Sequence, residues 1–378
     1  MAAKLASLAF ITALASGAAL AQQPVKIVGL YELSGAGASA GTQFRNGVEL
    51  ATKEINAAGG ILGRKLELAA YDTQSQPGVA KGLAKRAVDE GAYVVMGPVF
   101  SGSIVVSMAE TRAAEITNFT GGEASSITAQ GNPYIFRTSF NQAAGMPKLA
   151  NYINNDLKAK SVAIVWVNND FGKGGRDAMV KELGARNIKV AADVSTESNQ
   201  ADFSAAVLKA RQANADALFA YLNEEESARL LRELRKQGYD KPILGETTLM
   251  GQKVIDLAGD AANGVKGHVG LTIDAPNPLV KSFADKYERE YKAKSDHNGI
   301  KGYTAMYVVK AATEKLGKFD SKALAQALKG AKFAVKDAPG LLMDVSFDDK
   351  GDLDRESYMV EVKGGKQVVT TTLPPLRN

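Results

Sequence analysis

Residues 162–167 read Val-Ala-Ile-Val-Trp-Val, and residues 169–172 after them read Asn-Asp-Phe-Gly. A strand with no charged residue is covered on both faces, which is the condition of a parallel sheet. The polar loop gives way to a helical stretch, 173–185, and the alternation then repeats: strand 188–194, helix 201–212, strand 217–221, helix 224–238, strand 242–245. The same rhythm runs upstream. A strand at 25–30 leads through a Gly/Ala/Ser loop, 34–41, to a helix at 42–57. There Phe44, Val48, Ala51 and Ile55 recur at helical spacing and Thr42 serves as cap. Strand 66–71, helix 77–89 opening on Pro77, strand 92–96, helix 102–114 and strand 116–120 follow. A break near Asn141–Pro147 separates the two series. Later come helices near 278–292, 301–316 and 321–330, then strands at 345–347, 357–362 and 367–372. Alternating elements predict the α/β class, with two lobes, each a doubly wound parallel sheet. The late helices must complete one lobe, so the chain crosses between lobes more than once.

The chain has 378 residues, 46 Lys and Arg, 41 Asp and Glu, two His and no Cys. That length implies more than one domain. Zero Cys excludes disulfide scaffolds, thiolate metal sites and cysteine nucleophiles. His268 and His297 leave little for histidine-rich metal chemistry, and neither metal nor cofactor is expected. Basic residues are interspersed with acids and form no run with aromatics, so nucleic-acid binding is not expected. Residues 1–21 read MAAKLASLAFITALASGAALA. Lys4, the apolar run 8–14 and the Ala19-Leu20-Ala21 cleavage site make this a secretory signal peptide. The run is interrupted by Ser and Gly and falls short of the ~20 residues of a membrane span. No Cys follows, so no lipid anchor is expected. The mature protein is expected to be soluble and exported.

Gly37-Ala38-Ser39-Ala40-Gly41 matches the G-x-S-x-G nucleophile elbow of hydrolases. An exported serine hydrolase using Ser39 is one reading; a glycine-rich cleft loop whose backbone approaches a ligand is the other. Gly97-Pro98-Val99-Phe100-Ser101-Gly102-Ser103 follows a strand and opens a helix. Unpaired N–H groups and the positive end of the helix dipole there, with Ser101 and Ser103, suit a carboxylate. Gly121-Gly122-Glu123-Ala124 is a second loop after a strand, with Glu123 available to a cation or a hydroxyl. The loops around Phe171, Tyr221–Asn223 and Glu246–Thr248 complete a set of five at the carboxyl ends of strands, where α/β lobes bind ligands. Glu224-Glu225-Glu226 reads as the solvated first turn of a helix. Tyr287, Tyr291, Tyr303 and Tyr307 read as packing residues.

The chain resembles the periplasmic solute-binding proteins of branched-chain amino acid ABC transporters, the leucine/isoleucine/valine-binding type with the type I periplasmic binding fold. The resemblance is carried by LSGAGASAG, EINAAGGILGRKLEL, YDTQSQP, VVMGPVFSGS, NDFGKGGRDA, GETTLMGQKVIDLAGDAANG and VSFDDKGDL followed by YMVEVKGGK. It implies two lobes joined by three crossovers, residues 22–140 with 273–345 and residues 141–272 with 346–378. Solute would be trapped by hinge closure and handed to an inner-membrane ABC permease, by a monomer that does no chemistry. By the same resemblance Phe100, Ser101, Gly102 and Ser103 hold a ligand carboxylate. Gly121, Gly122, Glu123 and Ala124 contact the carboxylate and the α-amino group. Phe171, Tyr221, Asn223, Glu246 and Thr247 add further contacts, including the acid that neutralises an α-ammonium.

Several positions depart from the family pattern. Thr247 stands where that acid is expected, with Glu246 one place early. Asn223 stands where a hydroxyl-bearing aromatic is expected. Ala40 replaces an aromatic on the pocket wall and enlarges it, Glu123 replaces a small residue, and the family's early disulfide is absent. The ligand is therefore expected to be a small carboxylate: a branched-chain or similar amino acid, or alternatively an aromatic carboxylate or an amide.

Overall fold

A computed structural model of the chain describes residues 23–353 and 355–376. The leader at 1–21 lies outside the described residues. Five strands, β1 (Val25–Tyr31), β2 (Leu66–Asp72), β3 (Val94–Met96), β4 (Thr117–Thr120) and β5 (Ile135–Arg137), form a parallel sheet in the order β2-β1-β3-β4-β5. Helices α1 (Ala38–Ala57), α2 (Pro77–Asp89), α3 (Ser101–Ala113) and the single turn α4 (Ser126–Ala129) connect them. The chain then passes through α5 (Gln142–Asn155) into a second sheet. This contains β6 (Ser161–Val167), β7 (Lys189–Thr196), β8 (Ala217–Tyr221), β9 (Ile243–Gly245) and β10 (Lys266–Val269). Helices α6 (Asp170–Ala185), α7 (Ser204–Gln212), α8 (Glu224–Lys236) and α9 (Gln252–Ala258) alternate with these strands. After β10 the chain returns to the first lobe as α10 (Pro278–Tyr291), α11 (His297–Leu316), α12 (Ser321–Leu328) and a ribbon of β11 (Lys332–Phe333) and β12 (Val345–Ser346). It crosses once more to add β13 (Ser357–Lys363) and β14 (Lys366–Leu373) antiparallel to the edge of the second sheet, whose order is β14-β13-β10-β9-β8-β6-β7.

The apolar strand at 162–167 sits inside this second sheet, flanked by β7 and β8, with Val162 to Val165 and Val167 fully buried. Trp166 alone is half-buried, and its indole N–H donates to Asp193 at 2.7 Å. Side chains pack on both faces of each sheet, as double winding requires.

Two expectations need correction. The loop 34–41 is largely helical: α1 begins at Ala38, so Ser39 is its second residue and not the tip of an elbow. A Cβ at Gly41 would strike the backbone of Glu32, so the glycine permits close packing and does not shape a nucleophile turn. The break near 141–147 is α5, with Asn141 as its cap and Pro147 inside it. Pro147 and Gly145 mask a helix whose Met146, Leu149, Ala150 and Ile153 are all buried.

The three connections between lobes run side by side. Arg137 at the end of β5 is fully buried and pairs with Asp352 of the third connection at 2.6 Å. The other oxygen of Asp352 accepts from Asn141 Nδ2 at 2.7 Å and Thr128 Oγ1 at 2.8 Å. Phe140 of the first connection bridges Leu353 of the third and lies against Gly270 of the second, where any side chain would meet its ring. Removing one partner of a buried pair strands the other. Arg137→Met or Asp352→Ala is therefore expected to lower unfolding stability by about 3–5 kcal/mol in urea titrations. A loss near zero would show that water reaches the pair.

Candidate functional site

Each sheet has one place where successive strands add on opposite sides. In the first sheet it lies between β1 and β3, in the second between β6 and β8. Loops that leave such a point diverge and open a crevice. The two crevices face each other and enclose a cavity of about 450 Å³. The first lobe lines it with Gly35, Ala36 and Ala40 after β1, residues 74–77 after β2, residues 99–103 after β3, residues 121–123 after β4, and Lys301 of α11. The second lobe lines it with residues 169–171 after β6, Ser198 and Asn199 after β7, Asn223 and Glu224 after β8, and Thr248 after β9.

Of the residues singled out from sequence, Ala40, Phe100, Ser101, Gly102, Ser103, Gly121, Gly122, Glu123, Phe171 and Asn223 line the cavity. Ala124, Tyr221, Glu246 and Thr247 do not. Ala124 lies behind its loop and donates its N–H to Ser101 Oγ at 3.4 Å. Tyr221 stacks under Phe171, ring centroids 4.3 Å apart, and its hydroxyl accepts from Gln142 Nε2 at 3.0 Å. Glu246 follows β9, whose Gly245 pairs with Gly267 of β10, so the next step of that register brings Glu246 beside His268. The two meet at 2.9 Å in a buried pair, with Phe140 edge-on to the imidazole. Thr247 Oγ1 accepts from Gly270 N at 3.3 Å.

The end of the cavity expected from sequence to take a carboxylate is built on α3. Ser101 and Ser103 are buried in its first turn, and Ser103 Oγ has no hydrogen-bond partner among the described residues. Glu32, fully buried at the end of β1, anchors this turn by accepting from Val99 N at 3.0 Å and Phe100 N at 3.1 Å. Burial pushes its carboxyl up to about 7, against the lowering effect of those two N–H groups. The loop 121–124 is anchored through its carbonyls. Gly121 O accepts from Lys301 Nζ at 3.1 Å, and Gly122 O accepts from Arg137 Nη1 at 3.1 Å and Ser139 Oγ at 2.7 Å. Glu123 O accepts from Gln142 N at 3.0 Å, and Ala124 O from Arg137 Nη1 at 3.1 Å.

Sequence reading missed three charged groups here. Lys301, the fifth residue of α11, pairs with Glu123 at 2.9 Å and donates to Asn298 Oδ1 at 3.3 Å. Glu32 carried no motif. The run 224–226 is not a solvated turn: Glu224 and Glu226 are buried because the start of α8 points into the crevice. Glu226 accepts from Asn199 N at 2.6 Å and holds the loop after β7. The tyrosines of α10 and α11 do pack: the rings of Tyr303 and Tyr307 meet at a tilt of 46° and their hydroxyls share Glu54 as acceptor.

A carboxyl with a raised folded-state pKa contributes stability below its unfolded value that is lost as pH rises through the folded value. For Glu32 that window runs from about 4.5 to about 7. The melting temperature of Glu32→Gln relative to the parent protein is therefore expected to rise between pH ~5 and ~8. Parallel profiles would mean that Glu32 stays ionised throughout.

Residues 24–367 match the model of a family described as periplasmic binding protein. The Leu/Ile/Val-binding protein BraC3 of Rhizobium johnstonii is 30% identical over 93% of each chain. The branched-chain amino acid transporter substrate binding protein LivJ of Streptococcus pneumoniae, solved with isoleucine, superposes with a TM-score of 0.84. It is 25% identical over 93% of this chain and 100% of the other. A solute binding protein of an ABC transporter from R. palustris, solved with benzoate, shares the fold at a TM-score of 0.85. It is 24% identical over 94% of this chain and 98% of the other.

Proposed function

We infer the role of this protein from one premise: the chain belongs to the periplasmic binding protein family, whose members bind solutes and are not enzymes. The hydrolase reading falls with that premise, and Ser39 does not line the cavity. We propose that the protein is the substrate-binding component of an ABC importer. It is exported by the cleavable leader at 1–21, acts as a monomer in the periplasm, and delivers its solute to an inner-membrane permease. Residues 22–140 with 273–345 and residues 141–272 with 346–378 move as two lobes about the three connections.

The solute is a small carboxylate, in the first instance a branched-chain or similar amino acid. The observation that carries this reading is the α3 terminus, where Ser101 and Ser103 line the cavity and the buried Ser103 hydroxyl has no partner among the described residues. The names of the relatives, Leu/Ile/Val-binding among them, support the same class. An aromatic carboxylate is the second reading, favoured by the Phe100 and Phe171 rings on the wall and the space left by Ala40.

A thermal-shift panel on protein stripped by unfolding and refolding separates these readings. Ligand at 100 times its dissociation constant should add about 2.7 kcal/mol of stability. Ser101→Ala is expected to weaken whichever carboxylate binds by about 1–3 kcal/mol. Unchanged affinity would place the carboxylate elsewhere.

A further inference from the structure

Glu224 opens α8 at the switch point of the second sheet and borders the cavity. It is 4% exposed, and apart from its own backbone N–H no described group donates to its carboxyl. The other buried acids around the crevice are engaged: Glu123 with Lys301, Glu226 with Asn199 N, Glu246 with His268, Glu32 with the α3 turn. The charged groups facing Glu224 from neighbouring elements are Glu225 of its own helix, Asp296 before α11, and Lys301. Asp296 accepts from Asn298 N and Gly299 N, and Lys301 donates to Gly121, Glu123 and Asn298. Glu224 is thus a buried carboxyl that faces the ligand space with no cation paired to it, on the lobe opposite the α3 anion site.

We propose that Glu224 receives an ammonium group of the solute, so that the solute is a zwitterion spanning the cleft from Ser101 and Ser103 to Glu224. This deepens the carboxylate-capture reading above and rests on it. The acid expected from the family pattern at 246–247 cannot serve, because the Glu246 carboxyl lies behind the wall, hydrogen-bonded to His268. A bound ammonium supplies the charge that Glu224 lacks and draws the second lobe onto the first, whereas a simple carboxylate leaves it without a partner.

Proton release follows from this arrangement. Burial, with Asp296 and Glu225, lifts the Glu224 carboxyl to about 8, and Lys301 opposes the shift. The empty site therefore holds a proton at neutral pH that an ammonium ligand must expel.

Calorimetric titration with L-leucine and with 4-methylpentanoate, which lacks the ammonium, tests the proposal. The titrations are run in two buffers of different ionisation enthalpy, between pH ~6 and ~8, on the parent protein, Ser101→Ala and Glu224→Gln. Leucine is expected to bind more tightly as pH rises, by up to about tenfold per unit, and to release close to one proton. Glu224→Gln should reduce leucine affinity about 10- to 100-fold and abolish the proton release. Ser101→Ala should weaken both ligands. If leucine binds the parent protein with no more proton release than 4-methylpentanoate, or no more tightly, the ammonium assignment is overturned and carboxylate capture stands. Binding of benzoate alone has the same meaning. If no carboxylate binds, the carboxylate-capture reading fails and this proposal fails with it. The difference in proton count between leucine and 4-methylpentanoate on the parent protein, in which any contribution from Glu32 cancels, decides the matter even if Glu224→Gln does not fold.

Discussion

The guanidinium of Arg137 is sealed from water, and its desolvation has to be offset inside the protein. Burial pulls its pKa down, and Asp352, Glu123 and Asp348 act against that pull. Asp352 faces it across the bundle of connections, while its N–H groups satisfy the carbonyls of Gly122 and Ala124. One ion pair thereby joins the end of the first sheet, the third connection and a loop of the ligand cavity. Asn141 extends the same network by capping α5 with one atom and donating to Asp352 with another. The bundle of connections and the cavity loop 121–124 are parts of a single polar cluster. Movement of the connections cannot leave loop 121–124 indifferent.

The cavity is electrostatically divided. The first lobe offers fixed donors at the α3 turn, positioned by Glu32, and its own charges there are balanced by the contact of Lys301 with Glu123. The second lobe brings Phe171, Asn223 and the carboxyl of Glu224. Neither half alone surrounds a small solute. On the lobe movement proposed above, closure is favourable only when a solute satisfies polar groups on both sides, because an unmatched buried group costs more than its lost bond. On that proposal selectivity resides less in the shape of either wall than in what the closing wall must bury.

Much of the fold was legible because double winding leaves a direct imprint: uninterrupted apolar strands such as 162–167 alternating with amphipathic stretches. The cavity loops were legible for a related reason, since they must lie at the carboxyl ends of strands. What sequence hid were pairings set by register and by long-range packing. Nothing near Glu246 announces His268, 22 residues on, until β9 and β10 are placed side by side. Lys301 lies in a helix of ordinary appearance and meets Glu123 across 178 positions. The acids at 224–226 look like a solvated turn because local rules favour acids at a helix start. Only the position of β8 at the switch point turns that start inward. Pro147 and Gly145 concealed α5 because propensity marks them as breakers, while burial of its apolar face overrides propensity.

The relation of Glu246 to Glu224 shows what an acid near the cleft needs before it can bind a cation. Desolvation alone does not make a carboxyl receptive; it must also lack a partner within the protein. Glu246 meets the first condition and fails the second, because the β9–β10 register places an imidazole beside it. Glu224 meets both, since Lys301, the one cation among the charged groups facing it, donates to Gly121, Glu123 and Asn298. Moving the receptive acid from the β9 loop to the start of α8 leaves it on the closing lobe, so the logic of charge pairing across the cleft is preserved. It also shifts the acid from the loop after β9, one strand away, to the switch point itself, where Asn223 and Glu224 both line the cavity.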